Sequence, residues 1–426
     1  MPGHKNGRGL PENIMDCDVT ELAATEDLHS PGKVIRRSLE LLSRMYGSGE
    51  SFILTGGSTA GIQAMLAAAL KPGDTLLSFS DCHMSVINTC ALLGLRLKLF
   101  SAEYDGYGHY AGFDEAALES SLDGASALIV VSPDYYGRSK DIKKLAAICH
   151  KRNIPLLADQ AHGAHFTASD KFPPPACALG ADCTVMSAHK TLNALTGAAY
   201  LHVNGDLVDK HRLRRALAMF QTSSPSYPIA ASAEAAAMTM SDEDWERTIR
   251  LCDELKKAVP LKALENGDPT RLVFFTGSLT GFEAEKILAD KFGIDIEMAD
   301  SPSVILIATP SNTEEDFRQL ADALCYIAAY GTQVSAPSAP RPLPPEGVFS
   351  PSDGFFAESE SVPLKTAAGR TAACNVASYP PGIPIICCGA PVTAQMTESI
   401  DGLIRCGAKI TGLEDNNDIR VVKRSQ

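Results

Sequence analysis

The feature that most constrains this fold is a regular alternation, through the first half of the chain, of short apolar runs with amphipathic stretches. Ser51–Leu54, Thr75–Phe79 (TLLSF), Leu95–Phe100 (LRLKLF), Ser126–Val131 (SALIVV), Pro155–Ala158 (PLLA) and Cys183–Met186 (CTVM) each read as a strand. Helix-like segments such as IQAMLAAAL and Ile142–Arg152 separate them. Strands joined by helices need crossover connections, so the expectation is an α/β domain with a mostly parallel sheet covered on both faces. From Ala230 to about Leu255 the pattern is helical. Arg271–Phe275 and Val304–Ile307 then restart β patterning, and Glu314–Ala329 reads as a helix closing a smaller α/β unit. These shifts divide the chain into a large domain over 1–255, a small α/β subdomain over 256–334, a Pro-rich linker over 335–348 (SAPSAPRPLPP) and a C-terminal domain over 349–426.

Composition closes off other classes. With 426 residues, 45% hydrophobic and 21% charged, the chain has the balance of an ordinary globular protein. Its net charge of −13 repels phosphate backbones, so nucleic acid is not an expected partner, whereas a cationic small molecule is tolerated. No run of 18 apolar residues occurs and the N-terminus lacks the apolar stretch of a secretory signal, so no membrane association is expected. Twelve scattered cysteines without a CxxC pair read as reduced thiols of a cytoplasmic protein.

Three features stand at strand ends, where ligands gather in open α/β sheets. Gly56-Gly57-Ser58-Thr59 is a strand-to-helix turn, with free amides and hydroxyls suited to an anion; as it lacks the lysine of a nucleotide-binding loop, ATP is not implied. A purely structural turn is the competing reading. Asp159 follows the PLLA strand and precedes Gln160-Ala161-His162-Gly163-Ala164-His165; it points into the crevice or caps a helix. The His162/His165 spacing suggests a metal pair, but Gly163 and the lack of a third ligand argue against one, and no metal is expected. Lys190, in Ser187-Ala188-His189-Lys190-Thr191, lies just past a strand, where desolvation lowers a lysine pKa and makes a Schiff-base former. Pyridoxal 5'-phosphate needs a lysine for its aldehyde, an acid for its ring nitrogen and an anion cradle for its phosphate. All three occur, in the chain order of aspartate-aminotransferase-like (fold type I) enzymes.

The chain resembles the Orn/Lys/Arg decarboxylase family of bacteria, especially its shorter members, over nearly its whole length. The resemblance is carried by PGHKNGRG (2–9), TGGSTAGIQAM (55–65), DCHMSV (81–86), ADQAHGAHF (158–166), SAHKTLNALTGAA (187–199), QTSSPSYPIAAS (221–232), VPLKTAAGR (362–370) and YPPGIP (379–384). It implies that Lys190 carries the cofactor as a Schiff base and that Asp159 pairs with the ring nitrogen. It places His83 against the ring face and His162 near the ring hydroxyl, with Gly57 and Ala161 also lining the cofactor. Ser58, Thr59, Ser187 and His189 bind the phosphate, and Ser224 approaches from a neighbouring subunit of a homodimer or larger homo-oligomer. The implied reaction is decarboxylation of lysine, ornithine or arginine to a polyamine precursor and CO₂. Either Lys190 or His189 then protonates Cα.

The substrate's distal cation needs an acid. Glu358 and Glu360 alternate in FFAESESVPL and would share a strand face, against the competing reading of an ordinary solvated surface. Two departures from the family accompany the resemblance. Met84 stands where a lysine usually follows the ring-stacking histidine, which bears on substrate handling rather than cofactor binding. Relatives also carry a segment ahead of the PGHK motif that helps assembly, so a weaker dimer is expected. Alternatives from other classes are an aminotransferase or aldolase-type enzyme of the same fold, and a cofactor-binding paralogue acting as a non-catalytic subunit.

Overall fold

A computed structural model gives the fold and describes residues 3–330, 345 and 347–424. The large domain runs α1 (Lys33–Tyr46), β1 (Glu50–Leu54), α2 (Gly57–Ala69), β2 (Thr75–Phe79), α3 (Met84–Leu93), β3 (Arg96–Phe100), the hairpin β4 (Glu103–Tyr104) and β5 (Tyr110–Gly112), α4 (Glu115–Ser121), β6 (Ala127–Val131), α5 (Ile142–His150), β7 (Leu156–Asp159), β8 (Cys183–Met186), α6 (Ala188–Thr191), β9 (Ala199–Val203), α7 (Lys210–Phe220) and α8 (Tyr227–Met238). Helix α9 (Asp242–Ala258) leads to the small domain of β10 (Arg271–Phe275), α10 (Gly281–Phe292), β11 (Met298–Ala299), β12 (Ser303–Ile307) and α11 (Glu314–Tyr330). The C-terminal part holds β13 (Val348–Phe349), α12 (Pro351–Phe356), β14 (Ser359–Pro363), β15 (Val376–Ser378), β16 (Pro384–Ile386), α13 (Ala394–Arg405), β17 (Ile410–Thr411) and β18 (Asp418–Val422).

One eight-stranded sheet, in the order β1-β9-β8-β7-β6-β2-β3-β13, organises the large domain. The pairs β8–β7, β7–β6, β6–β2 and β2–β3 are parallel, while β9 and β13 run against their neighbours. Successive side chains in a strand point to opposite faces, and the core divides accordingly. Leu76, Ile129, Leu157, Val185 and Leu201 pack with α2, α3 and α7 on one face. Leu77, Leu128, Val130, Leu156 and Ala158 pack with α4 and α5 on the other, where Met186 and Tyr200 meet α1 and α8. Both faces are therefore covered, which explains why these strands read as continuous apolar runs.

The small domain is an antiparallel sheet, β10-β12-β11, backed by α9, α10 and α11. Its boundary falls inside a helix. Trp245 and Ile249 of α9 pack beneath the large domain, whereas Cys252 and Leu255 join the small-domain core. The helical stretch expected over 230–255 is two helices, α8 and α9, broken before Ser241, whose hydroxyl accepts from the Asp244 amide. Of the expected Pro-rich linker, residues 335–344 and 346 lie outside the described residues, and Val348 already belongs to β13, paired with Lys98. Among the described residues no helix is long and apolar enough to cross a membrane.

Candidate active site

The site forms where three strands of the large sheet end. Asp159 closes β7 and pairs in parallel register with Val185 of β8. Just beyond Met186 the chain turns through Ser187 into α6, which carries His189 and Lys190. The end of β1 is brought alongside by the strand between them. The Gly57 amide donates to Gly197 O at 2.8 Å, and the next carbonyl, Ala198 O, accepts from both the amide and Nδ1 of His189 (3.3 and 2.8 Å). Helix α2 approaches closely because Gly61 has no side chain; a Cβ there would stand 2.5 Å from Val185 Cγ2. The predicted turn, acid and lysine thus converge on one crevice.

Lys190 Nζ lies 3.1 Å from His162 Nε2 and 5.7 Å from the Tyr135 ring centroid. On its other side, His162 receives Nη2 of Arg271 at Nδ1 (3.1 Å), and its ring packs against Tyr135 at 4.6 Å. Burial pushes the Lys190 pKa down; Asp159 and Glu297 oppose this and Arg271 adds to it. Burial likewise holds His162 well below the ordinary histidine value, with Lys190 and Arg271 pushing the same way. His83 caps the N-terminus of α3 through Nδ1, which accepts from the Ser85 amide; burial and then Lys190 push its pKa down to about 4. The YPPGIP loop closes over this ring. A Cβ on Gly382 would be 3.0 Å from His83 Nε2, Gly382 O accepts from the Met84 amide (2.9 Å), and Tyr135 Oη donates to Pro381 O (2.8 Å).

The surroundings define what the crevice can hold. Asp159 is buried, and burial raises its carboxyl pKa against the pull of Lys190 and of the Ala161 amide, which donates to Oδ1 at 3.1 Å. Among the described residues no ion pair engages it, although Lys190 is close enough to pull its pKa down. Ser187 Oγ is buried without a partner among the described residues. Gly57 has a left-handed φ of +72° with open space over its α-carbon, and the first-turn amides of α2, with Ser58 and Thr59 beside them, have no intrahelical acceptors. An anion fits this corner, a protonated ring nitrogen fits Asp159, and a carbonyl carbon fits the Lys190 amine. His162 and His165 diverge instead of forming a pair: His165 Nε2 lies 3.2 Å from Asp268 Oδ2 and its ring stacks on Trp245.

Three expected residues are not brought to this crevice within one chain. Ser224 lies exposed in the loop before α8, its amide donating to Thr222 Oγ1. Glu360 of β14 is engaged by Arg370 at 2.5 Å, and Glu358 stands in solvent 3.5 Å from Lys423. The AAGR stretch therefore supplies the cation that occupies Glu360, and the expectation that these two acids face the substrate is corrected for the single chain. Sequence reasoning missed Tyr135, Arg271 and Glu297. Arg271 opens a run, RLVFF, that was read for its strand alone.

Comparisons with known proteins place the chain in a family. The family profile described as Orn/Lys/Arg decarboxylase, major domain, matches residues 2–275, and the corresponding C-terminal domain profile matches 350–415. An arginine decarboxylase of Bacillus subtilis is 30% identical over the whole chain and 94% of its own length. An uncharacterized protein of the same organism is 33% identical over 97% of this chain and 92% of its own. Among solved structures, the lysine decarboxylase of Francisella novicida superposes with a TM-score of 0.84 at 18% identity, covering 99% of this chain and 78% of that one, which shows a shared fold. A ureidoglycine–glyoxylate aminotransferase of Bacillus subtilis shares the fold more distantly, with a TM-score of 0.56, 14% identity and coverage of 77% of this chain and 93% of its own. The chain belongs to the Orn/Lys/Arg decarboxylase family and is an amino-acid decarboxylase of the fold type I architecture.

Proposed function

We propose that this enzyme decarboxylates a basic amino acid, with pyridoxal 5'-phosphate bound at Lys190, to give a diamine or agmatine and CO₂. The observation that carries the reading is the Lys190 amine on α6, just beyond β8, facing the same crevice as the Asp159 carboxylate at the end of β7, which has no ion-pair partner among the described residues. When bound, the cofactor supplies the sink for the electron pair left as CO₂ departs. Asp159 holds a proton on the ring nitrogen, because an adjacent negative charge favours the cationic form. Ser187 Oγ, Ser58, Thr59 and the first-turn amides of α2 receive the phosphate. His83, fixed by Ser85 and covered by Gly382, limits the crevice on one side and excludes water there. Lys190 and His189 are the two candidates to return a proton to Cα. His189 has Nδ1 committed to Ala198 O, which leaves only Nε2 for that work.

A basic substrate is supported by the cavity on the far side of Tyr135. It encloses about 210 Å³ between the three domains and is lined by Tyr107, Tyr110 and Tyr136, with Asp134 and Asp300, whereas the Asp81 carboxylate at its edge is already taken by Lys140 at 2.6 Å. Aromatic faces and carboxylates together suit an extended cationic side chain. The exposed apolar side chains Val19 and Val34, which line one hollow with Pro225, support a second copy of the chain docking here, an arrangement that would give Ser224 to the partner's site.

The test has two arms. Lys190→Ala is expected to abolish the visible absorption of bound cofactor, and an unchanged spectrum defeats the assignment. Cofactor-saturated protein given lysine, ornithine or arginine is expected to release CO₂ without a keto acid. Turnover only with a keto-acid acceptor and no CO₂ would point to transamination.

A further inference from the structure

Arg271 is the largest side chain that the described residues bury completely. A guanidinium taken wholly out of water is expensive unless it serves a partner. Its backbone is fixed on both sides: the amide donates to Asp268 O at 3.1 Å, and the carbonyl accepts Asn266 Nδ2 at 3.0 Å. Gly137 leaves it room, since a Cβ there would stand 2.8 Å from Arg271 Cβ. Nε and Nη1 have no hydrogen-bond partner among the described residues, while Nη2 reaches His162 Nδ1.

The chemistry of that contact dictates the next one. A guanidinium only donates, so Nδ1 of His162 accepts and the single proton of the neutral ring sits on Nε2. That Nε2–H points at Lys190 Nζ, 3.1 Å away. An ammonium has no lone pair and would set N–H against N–H, whereas a neutral amine accepts. We propose that Arg271 is a positioning residue which, through His162, selects the tautomer that leaves the Lys190 amine uncharged with its lone pair available. This rests on the reading of Lys190 as the cofactor-binding amine.

The groups facing Lys190 pull in both directions. Asp159 from β7 and Glu297 from the segment before β11 favour the ammonium; burial and Arg271 from β10 oppose it. His83 ahead of α3 feels the lysine charge, and His162 feels His83, His189 and Arg271. Lys5, near Arg271 and Glu297, adds a further positive charge to the cluster.

Competitive labelling of Lys190 by acetic anhydride in the cofactor-free full-length protein, followed by mass spectrometry across pH, reads its protonation without any turnover. Arg271→Met is expected to raise the apparent pKa of Lys190 by at least about one unit, slowing labelling about tenfold near neutral pH. Arg271→Lys, also a donor without an acceptor, should stay close to wild type. In a His162→Phe background Arg271→Met should move the value far less, by only the direct through-space effect of the guanidinium charge, because the ring that relays the rest is gone. An equal shift in both backgrounds, or none in the wild-type background, overturns the proposal. Emission from Trp245, the sole tryptophan, reports whether each variant folds. Should Arg271→Met not fold, His162→Phe alone must raise the Lys190 value, and an unchanged value overturns the proposal equally. Retention of cofactor absorption by Lys190→Ala would instead end the cofactor reading while leaving the labelling result intact, so the two failures are distinguishable.

Discussion

Gly61→Ala tests whether the placement of α2 makes the anion corner. The added Cβ would stand 2.5 Å from Val185 Cγ2 and 2.8 Å from Leu54 Cδ1. Carbon atoms rest about 3.5–4.0 Å apart, so the helix must retreat from β8 and β1 by about 1 Å. Overpacking of this kind costs about 1–3 kcal/mol. The better helix propensity of alanine returns about 1 kcal/mol, leaving a net loss of about 0–2 kcal/mol. The functional loss should be larger than the stability loss, because the first-turn amides, Ser58 and Thr59 move with the helix while Ser187 and Lys190 stay at the start of and within α6. A displacement near 1 Å at a positioning element costs up to about 100-fold. Urea unfolding of the cofactor-free protein measures the first quantity, and titration with pyridoxal phosphate followed by visible absorption measures the second. We expect cofactor affinity to fall about tenfold or more. A variant that loses stability yet binds cofactor like wild type would show that α2 does not form the cradle. One that loses neither would show that the helix and strand are not in such close contact.

Two further predictions concern stability. Burial alone would raise the Asp268 pKa, but His165, then Arg271 and Thr270, bring it down to about 2. A depressed carboxylate stabilises the fold at pH values above its ordinary range, and the contribution is lost as pH falls through about 2; Asp268→Asn should cost about 3 kcal/mol at neutral pH and flatten the acid limb of a pH–stability profile. Gly402 lies within α13 with a right-handed φ and open space around its α-carbon, so Gly402→Ala should stabilise by about 0.5–1 kcal/mol, seen as a higher urea midpoint at unchanged slope.

The strands at 75–79, 183–186 and 271–275 were legible to the residue, because each is predominantly apolar or β-branched and bounded by turn-forming or charged neighbours. Ala199–Val203 was not: the run AYLHV sits directly behind the lysine motif, and the parallel pattern gave no reason to expect a strand running against its neighbours. The lysine, the acid and the Gly-Ser turn, which the fold brings to one crevice, stood out in the sequence because each is a particular residue type at a strand end. Arg271 could not, since an arginine before an apolar run reads as a solvated strand flank and only the packing of Gly137 and Asn266 shows that it is enclosed. Glu358 and Glu360, which the single chain does not bring to the crevice, differ for the opposite reason. Their alternation suggests a shared face, but which cation occupies that face depends on Arg370, brought near only by the folding of the C-terminal domain.

The contact between Gly382 and His83 ties the two ends of the sequence into a single functional requirement. A larger residue at 382 would strike an imidazole fixed far upstream, and would also disturb the carbonyl that the Met84 amide uses. Damage to the tail would then register as a fault in the first third of the chain, so the C-terminal domain forms one wall of the candidate crevice and is not an independent appendage.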